Sequence, residues 1–165
     1  MGSLHQGHLS LINRSIVENV QTIITIYVNP TQFNDKNDLN KYPRNLKNDL
    51  DKLKHLKNIF IYTPQDKDLY KKVESKKYDL DDLDKVLEGR YRPGHFNGVA
   101  TIVEKFFRLF NPNNAYFGEK DFQQLTIIKT MVKKLNLNIN IVACETVREI
   151  DGLAMSSRNS HMSKE

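Results

Sequence analysis

The chain has 165 residues, of which 39% are hydrophobic and 27% charged. That fits one domain of ordinary size with enough apolar material for a packed core, and it excludes a wholly disordered chain. No apolar run approaches the roughly 20 residues a bilayer-spanning helix needs, and the single cysteine, Cys144, excludes an internal disulfide framework. The start, Met1-Gly2-Ser3-Leu4-His5, lacks the basic n-region and apolar stretch of a secretory signal. The net charge of +5 comes from lysines mixed with acids, as in Lys47, Asp49, Asp51, Lys52 and Lys54. Without aromatic interleaving, this reads as a solvated surface and not as a nucleic-acid footprint.

Taken in chain order, residues 7–20 place Leu9, Ile12, Ile16 and Val20 at helical spacing. Thr22 to Val28 is β-branched and apolar and stops at Asn29-Pro30, so it predicts a buried strand. Residues 43–57 open on Pro43, a good first-turn residue, and set Leu46, Leu50 and Leu53 on one helical face. Asn58 to Thr63 predicts a second buried strand in the same way, closed by Pro64. Residues 65–85 are polar and charged and predict a peripheral loop with a short helix. A helix follows over 97–110, with Val99, Ile102, Val103, Phe106, Phe107 and Phe110. Ala115 to Phe117 is a strand, 121–135 a helix carrying Phe122, Leu125, Ile128, Val132 and Leu135, and Ile139 to Cys144 a last strand.

Apolar strands alternating with amphipathic helices predict an α/β fold with a mostly parallel, doubly wound sheet. Ligands of such sheets bind at the carboxyl ends of the strands. There lie Asn29-Pro30-Thr31-Gln32 and Gly118-Glu119-Lys120-Asp121. A doubly wound domain normally begins with a central strand feeding the first phosphate-binding turn. This sequence begins on that turn, so the expectation is one domain over residues 1–165 that lacks its first strand.

Three motifs carry chemistry. In Met1-Gly2-Ser3-Leu4-His5-Gln6-Gly7-His8 two histidines at i and i+3 share one face of a first helical turn. Glycines there permit close approach of a ligand, and a helix N-terminus favours anions. The alternatives are two exposed helix-start histidines or part of a metal site whose third ligand is not nearby. In Gly118-Glu119-Lys120-Asp121-Phe122-Gln123-Gln124, Lys120 suits phosphate and Asp121 a ribose hydroxyl. The alternative is that Glu119 and Asp121 only favour a helix start. In Asp151-Gly152-Leu153-Ala154-Met155-Ser156-Ser157-Arg158-Asn159, a mobile-looking loop concentrates hydroxyls, amides and a guanidinium able to clamp phosphates.

The pairing of His5-Gln6-Gly7-His8 with Met155-Ser156-Ser157-Arg158 resembles the HIGH and KMSKS elements of class I aminoacyl-tRNA synthetases and related nucleotidyltransferases. Further segments narrow the resemblance. Val28-Asn29-Pro30-Thr31-Gln32-Phe33, Tyr42-Pro43-Arg44, Glu88 to Val99 (EGRYRPGHFNGV), Phe117 to Gln124, Val147-Arg148-Glu149 and Asp151 to Asn159 match the pantothenate synthetase family in order and spacing. The match covers the chain apart from residues 65–85.

That resemblance implies a Rossmann-like fold of the HxGH nucleotidyltransferase type. It implies ATP-dependent condensation of pantoate with β-alanine through a pantoyl adenylate, releasing AMP and pyrophosphate, with Mg²⁺ accompanying ATP. It implies that Met1, Gly2, Ser3, Leu4, His5, Gln6, Gly7 and His8 wrap ATP, with His8 as proton donor and His5 on phosphate. Gly118, Glu119, Lys120 and Asp121 would hold ribose and phosphates, Lys120 being the phosphate cation. Val147 would meet the adenine through its backbone. Met155, Ser156, Ser157 and Arg158 would close over the phosphates. Gln32 and Gln124 would hold pantoate, with Gln32 also near β-alanine and Asn29 close by. Asp49 falls where relatives place a carboxylate near the metal, although Asn48 stands where some carry a second acid. Arg92 and His95 would either act in catalysis or order their loop. Family members are commonly cytoplasmic homodimers of small-molecule chemistry, with neither nucleic acid nor membrane as partner. They also carry a strand before this Met-Gly and a smaller C-terminal lid domain, and have Tyr-Leu where this chain has His161-Met162. Two readings of another kind stay open: another HxGH nucleotidyltransferase, or a non-catalytic ATP-binding fragment.

Overall fold

The computed structural model describes residues 1–159; His161-Met162 therefore lie outside the described residues. The regular elements, in chain order, are α1 (Gln6–Glu18), β1 (Thr22–Thr25), α2 (Lys36–Lys41), α3 (Leu46–Leu53), β2 (Ile59–Tyr62), α4 (Asp66–Leu69), α5 (Leu87–Tyr91), α6 (His95–Phe110), β3 (Asn114–Gly118), α7 (Phe122–Lys134) and β4 (Asn140–Cys144). All the strands and long helices expected from periodicity are present. The strands form two parallel pairs: β1 with β2, in the register Thr22↔Ile59 to Thr25↔Tyr62, and β3 with β4, from Asn114↔Asn140 to Gly118↔Cys144.

A single domain over 1–165 is the expectation, but the contacts group the chain into two compact units. Among the described residues, one comprises Met1–Val28, Lys41–Pro64 and 145–159; the other comprises Asn29–Asn40 and Gln65–Cys144. Each contains one strand pair, and each closes its own core around that pair.

In the first unit Leu4, Ile12, Ile24, Ile26 and Leu53 form the core, with Leu9, Ile16, Leu56 and Ile59 packed on it. Each fully buried side chain of this kind contributes roughly 1.5–3 kcal/mol. Three expectations shift here. Strand β2 is expected to be buried, but its central residues Phe60 and Ile61 are 58% and 36% exposed. Val20 is 88% exposed, beyond the end of α1. On α3, Leu46 and Leu50 are 44% and 38% exposed, while Asp49 and Leu53 are buried, so the helix is turned to present a carboxylate inward. Strand β1 pairs with β2 only as far as Thr25, although Ile26 still donates to the Tyr62 carbonyl at 2.9 Å. Beside it, the Met1 nitrogen donates to the Thr25 carbonyl at 2.9 Å and Tyr27 N–H to the Met1 carbonyl at 2.8 Å, the slanted pattern of a parallel neighbour.

In the second unit the core is larger. Phe96, Val99, Ala100 and Phe107 of α6 pack with Ile127, Ile128, Met131 and Val132 of α7, and with Leu80 and Ile139. Phe122 departs from the expected apolar face and is 68% exposed. The polar stretch 65–85 is more than a peripheral loop, since Tyr70 and Leu80 are buried. Within it, Lys76 and Tyr78 donate to Glu104 Oε2 at 2.7 and 2.6 Å, and Lys76 N–H donates to Thr101 Oγ1 at 2.8 Å. Among the described residues no helix is long and apolar enough to cross a membrane.

Candidate active site

The sequence places the first histidine motif at a helix start, and that is where it lies. His5 is the N-cap of α1, and the His5 and His8 rings face each other with centroids 4.0 Å apart. His5 N–H donates to His8 Nδ1 at 3.3 Å. As an acceptor, Nδ1 carries no proton, so the neutral His8 ring bears its proton on Nε2, the tautomer a donor to a ligand needs. The glycines serve the protein's own packing. A Cβ on Gly7 would stand 3.0 Å from two atoms of the His5 ring, and one on Gly2 would stand 3.3 Å from Val28. Gly7 thus makes room for an imidazole where the sequence suggests room for a ligand.

The backbone ahead of α1 is strained and held. Ser3 adopts φ +51°, uncommon for a residue with a Cβ. Ser3 N–H donates to Asp49 Oδ2 at 2.9 Å and Leu4 N–H to Asp49 Oδ1 at 2.6 Å. Lys52 Nζ donates to the Leu4 carbonyl at 2.5 Å. Asp49, expected near a metal, is 1% exposed and has each oxygen engaged by the backbone. Among the described residues no group of three or more His, Cys, Asp or Glu is arranged to hold a metal. The donor set therefore does not fit a protein-built magnesium site at Asp49.

The Met-Ser-Ser-Arg element belongs to the same unit. The expectation of a mobile-looking loop gives way to a hydrogen-bonded hairpin. Arg148 bridges Ala154 in antiparallel fashion, Met155 N–H donates to the Val147 carbonyl at 3.0 Å, and Gly152 makes the turn at φ +90°. Just beyond it, Ser157 Oγ donates to the Ser3 carbonyl at 3.0 Å, and the Arg158 guanidinium lies 5.1 Å from the centre of the Tyr42 ring. Residues 154 positions apart in sequence are thereby joined, and Val147, Ser156, Ser157 and Arg158 share a unit with Met1 to His8.

The other predicted residues fall in the second unit. Asn29 is 3% exposed and acts as a hub. Its Oδ1 accepts from Tyr70 OH at 2.7 Å and Thr31 Oγ1 at 3.0 Å, and its Nδ2 donates to the Gly98 carbonyl at 3.1 Å and to Gln32 Oε1 at 3.5 Å. Gln32 is half-buried at the end of this turn. Its carbonyl lies 2.6 Å from His95 Nδ1, which must carry the proton because a carbonyl can only accept. Burial holds the His95 ring below its ordinary 6.5, and the hydrogen bond to Gln32 opposes this only in part. Gly98 completes the junction: a Cβ there would stand 2.1 Å from the Thr31 carbonyl oxygen. His95 thus orders the turn that carries Gln32. Arg92 pairs with Glu88 at 2.5 Å across one turn of α5 and its C-cap. Sequence reasoning misses Tyr70, whose one signal is an aromatic ring inside a charged run.

Gly118 precedes a 3₁₀ turn, Glu119–Asp121, that leads into α7. Lys120 Nζ lies 3.2 Å from Asp121 Oδ1 with its side chain 38% exposed, so the phosphate cation proposed from sequence is held by its neighbour at the surface. Gln124 is half-buried in the first turn of α7. Gln123 clamps the segment before α5: its Nε2 donates to the Leu83 and Val86 carbonyls at 2.7 and 2.8 Å, and its Oε1 accepts from Glu88 N–H at 3.0 Å.

The sequence model of the pantoate-beta-alanine ligase family matches residues 1–165. A pantothenate synthetase of Azobacteroides pseudotrichonymphae is 53% identical over 163 residues, covering 98% of this chain and 58% of that protein. One of Flavobacterium psychrophilum is 53% identical over 164 residues, again covering 98% and 58%. The chain thus spans somewhat under three-fifths of the length of these relatives. Among solved structures, pantothenate synthetase from Thermus thermophilus superposes with a TM-score of 0.94 at 41% identity, over 99% of this chain and 60% of that one. Pantoate-beta-alanine ligase from Francisella tularensis, complexed with beta-gamma ATP and beta-alanine, gives 0.93 at 42% identity, over 99% and 63%. The neighbours carry the Rossmann-like nucleotidyltransferase fold that the resemblance implies, within the α/β class that alternating strands and helices predict. With every residue of the sequence inside the family match, the chain belongs to the pantoate-beta-alanine ligase family.

Proposed function

We propose that this chain is the nucleotide-binding part of a ligase that activates pantoate with ATP and joins it to β-alanine. The observation that carries the reading is the contact between the two phosphate-handling elements. Ser157 of the Met-Ser-Ser-Arg element hydrogen-bonds to the loop that ends at His5, beside the paired His5 and His8 rings. The bound molecules named for the Francisella structure, ATP and β-alanine, support the choice of substrates.

A carboxylate is a poor acyl donor until its oxygen belongs to a good leaving group. In the first step a pantoate carboxylate oxygen bonds to the α-phosphorus of ATP, the bond to the bridging oxygen breaks, and pyrophosphate leaves. In the second, the β-alanine amine attacks the acyl carbon and loses a proton, the bond from that carbon to the oxygen bridging it to phosphorus breaks, and AMP leaves with the bridging oxygen. His8 Nε2–H, the amides opening α1 and the Arg158 guanidinium supply donors for charge developing on phosphate oxygens. Lys120 adds a point charge once it leaves Asp121 for phosphate. Gln32 and Gln124 orient pantoate, and the His95 and Gly98 junction fixes Gln32. Mg²⁺ enters this reading as a companion of ATP. A homodimeric state and a cytoplasmic location follow from the family resemblance, and sedimentation tests the first.

The test is AMP release in the presence of ATP, pantoate and β-alanine. The expected result is dependence on all three, with His8→Ala and Lys120→Ala each slowing adenylate formation on the order of 100-fold or more. Near-wild-type rates in both variants would remove the assigned roles. Pyrophosphate release that continues over many turnovers without β-alanine, beyond the single equivalent that adenylate formation gives, would instead favour another nucleotidyltransferase. ATP binding by titration without turnover would mark this chain as a binding unit.

A further inference from the structure

From the environment of Asp49 we infer that this residue positions the loop opening α1 and is not a ligand of magnesium. The inference rests on the proposed reaction for its activity readout, but its geometry stands independently. Asn45 caps α3 by accepting Asn48 N–H at 3.0 Å, which places residue 49 in the first turn and one helical turn ahead of the fully buried Leu53. The Asp49 side chain therefore points into the unit and not toward water.

There it meets two consecutive amides of one loop. Ser3 N–H and Leu4 N–H converge on the two carboxylate oxygens, at 2.9 and 2.6 Å. Successive amides aimed at one point, with a left-handed residue between them, form an anion-binding concavity, and here the anion is the protein's own carboxylate. Three residues further along α3, Lys52 takes the Leu4 carbonyl. One helix thus grips residue 4 from both sides, its N–H by Asp49 and its C=O by Lys52. The Leu4 side chain, 2% exposed, anchors the same residue in the core. His5 follows directly, so the orientation of the helix start and of both imidazoles depends on this grip. The left-handed Ser3 is unfavourable in itself and persists because the carboxylate over-determines it.

The same geometry argues against a metal role. Mg²⁺ demands near-octahedral oxygen ligands at about 2.0–2.1 Å and keeps several waters. A carboxylate that is 1% exposed, with an amide already seated on each oxygen, leaves no space for a hydrated ion.

Asp49→Asn decides between the roles. The amide nitrogen that replaces one oxygen opposes a backbone N–H, so one grip is lost and the loop shifts. The expected result is a kcat/KM for ATP reduced on the order of 100-fold, as a displacement near 1 Å produces, with the half-saturating Mg²⁺ concentration unchanged. A half-saturating Mg²⁺ raised about tenfold or more, with kcat restored at high Mg²⁺, would overturn the inference. Should Asp49→Asn fail to fold, hydrogen exchange in the unsubstituted protein decides. The Ser3 and Leu4 amides are expected to be protected without nucleotide or Mg²⁺, whereas rapid exchange, or protection that appears only on adding Mg²⁺, would overturn it. Absence of AMP release by the unsubstituted protein would sink the proposed reaction and leave the amide measurement intact.

Discussion

The two units each bury a carboxylate, and they satisfy it in opposite ways. Asp49 in the first unit is met by backbone amides; Glu104 in the second is met by the side chains of Lys76, Tyr78 and Arg108. A buried charge needs hydrogen-bonded partners, and the type of partner decides what the charge controls. Backbone partners make Asp49 the holder of a loop path, and therefore of the turn that opens α1. Cationic side chains, each more than half exposed, make Glu104 the anchor that pins the polar 70–80 segment to α6. The second unit orders its Thr31-Gln32 turn by close approach and a side-chain donor instead, with Gly98 against Thr31 and His95 on the Gln32 carbonyl.

The largest effect should come from Gly98→Ala. Inside a helix this change ordinarily stabilises by roughly 0.5–1 kcal/mol. Here the sign should reverse, because the added Cβ would stand 2.1 Å from a backbone oxygen that no rotamer change can move. A loss of about 3 kcal/mol, or failure to fold, is expected in urea denaturation. A neutral or stabilising result would show that the second unit does not depend on close approach.

Glu104→Gln sharpens the contrast between the carboxylates. Burial alone would push the Glu104 carboxyl up. Hydrogen bonds from Lys76, Tyr78 and Arg108 overcome burial and bring it down to about 2, against an ordinary 4.5. A carboxyl lowered on folding stabilises fully above the unfolded value, and that stability is lost as pH falls from 4.5 toward 2. The variant should lose about 2 kcal/mol at pH 7, since its cationic partners stay hydrated. Its stability should also fall less steeply than the parent's over that acid window, as followed by melting temperature against pH. Parallel curves for both proteins would detach Glu104 from acid sensitivity.

The smallest effect is expected at His95. Burial depresses its ring below 6.5, so the unfolded chain takes up the proton first. Its contribution is therefore full above pH 6.5 and is lost as pH falls below it. His95→Phe keeps the ring and removes the donor to Gln32, at a cost of roughly 1–2 kcal/mol. It should also raise the KM for pantoate more than it lowers kcat. A kcat loss with KM unchanged would move His95 from positioning to direct chemistry.

Much of this was legible in the sequence where burial and periodicity coincide. Strand 139–144 and helices 97–110 and 121–135 recur nearly at their expected bounds, because each buries apolar residues that its spacing already displays. The expected faces failed where a polar group outranked an apolar one. Leu46 and Leu50 stay partly exposed because Asp49 must reach the Ser3 and Leu4 amides, and a charge in that position leaves no choice of face. Tyr70 was invisible because a lone aromatic ring in a charged run has no period, yet its hydroxyl and Asn29 satisfy one another in the interior. The 147–155 hairpin was hidden because its pairing is made by backbone groups that every residue type shares.

By itself, the sequence determined the alternation of strands and helices, the candidate phosphate-binding turns and the family. Those follow from local spacing and from motifs whose residues are near neighbours in the chain. Tertiary structure alone decided what holds each turn in place: Asp49 and Lys52 on residue 4, Ser157 on Ser3, and His95 and Gly98 on the Thr31-Gln32 turn. The hydrogen-bonded partners are separated by 45 to 154 positions, from Asp49 and Leu4 to Ser157 and Ser3. No local propensity encodes a hydrogen bond across such a span, because it is the packing of the cores that brings the two groups within reach.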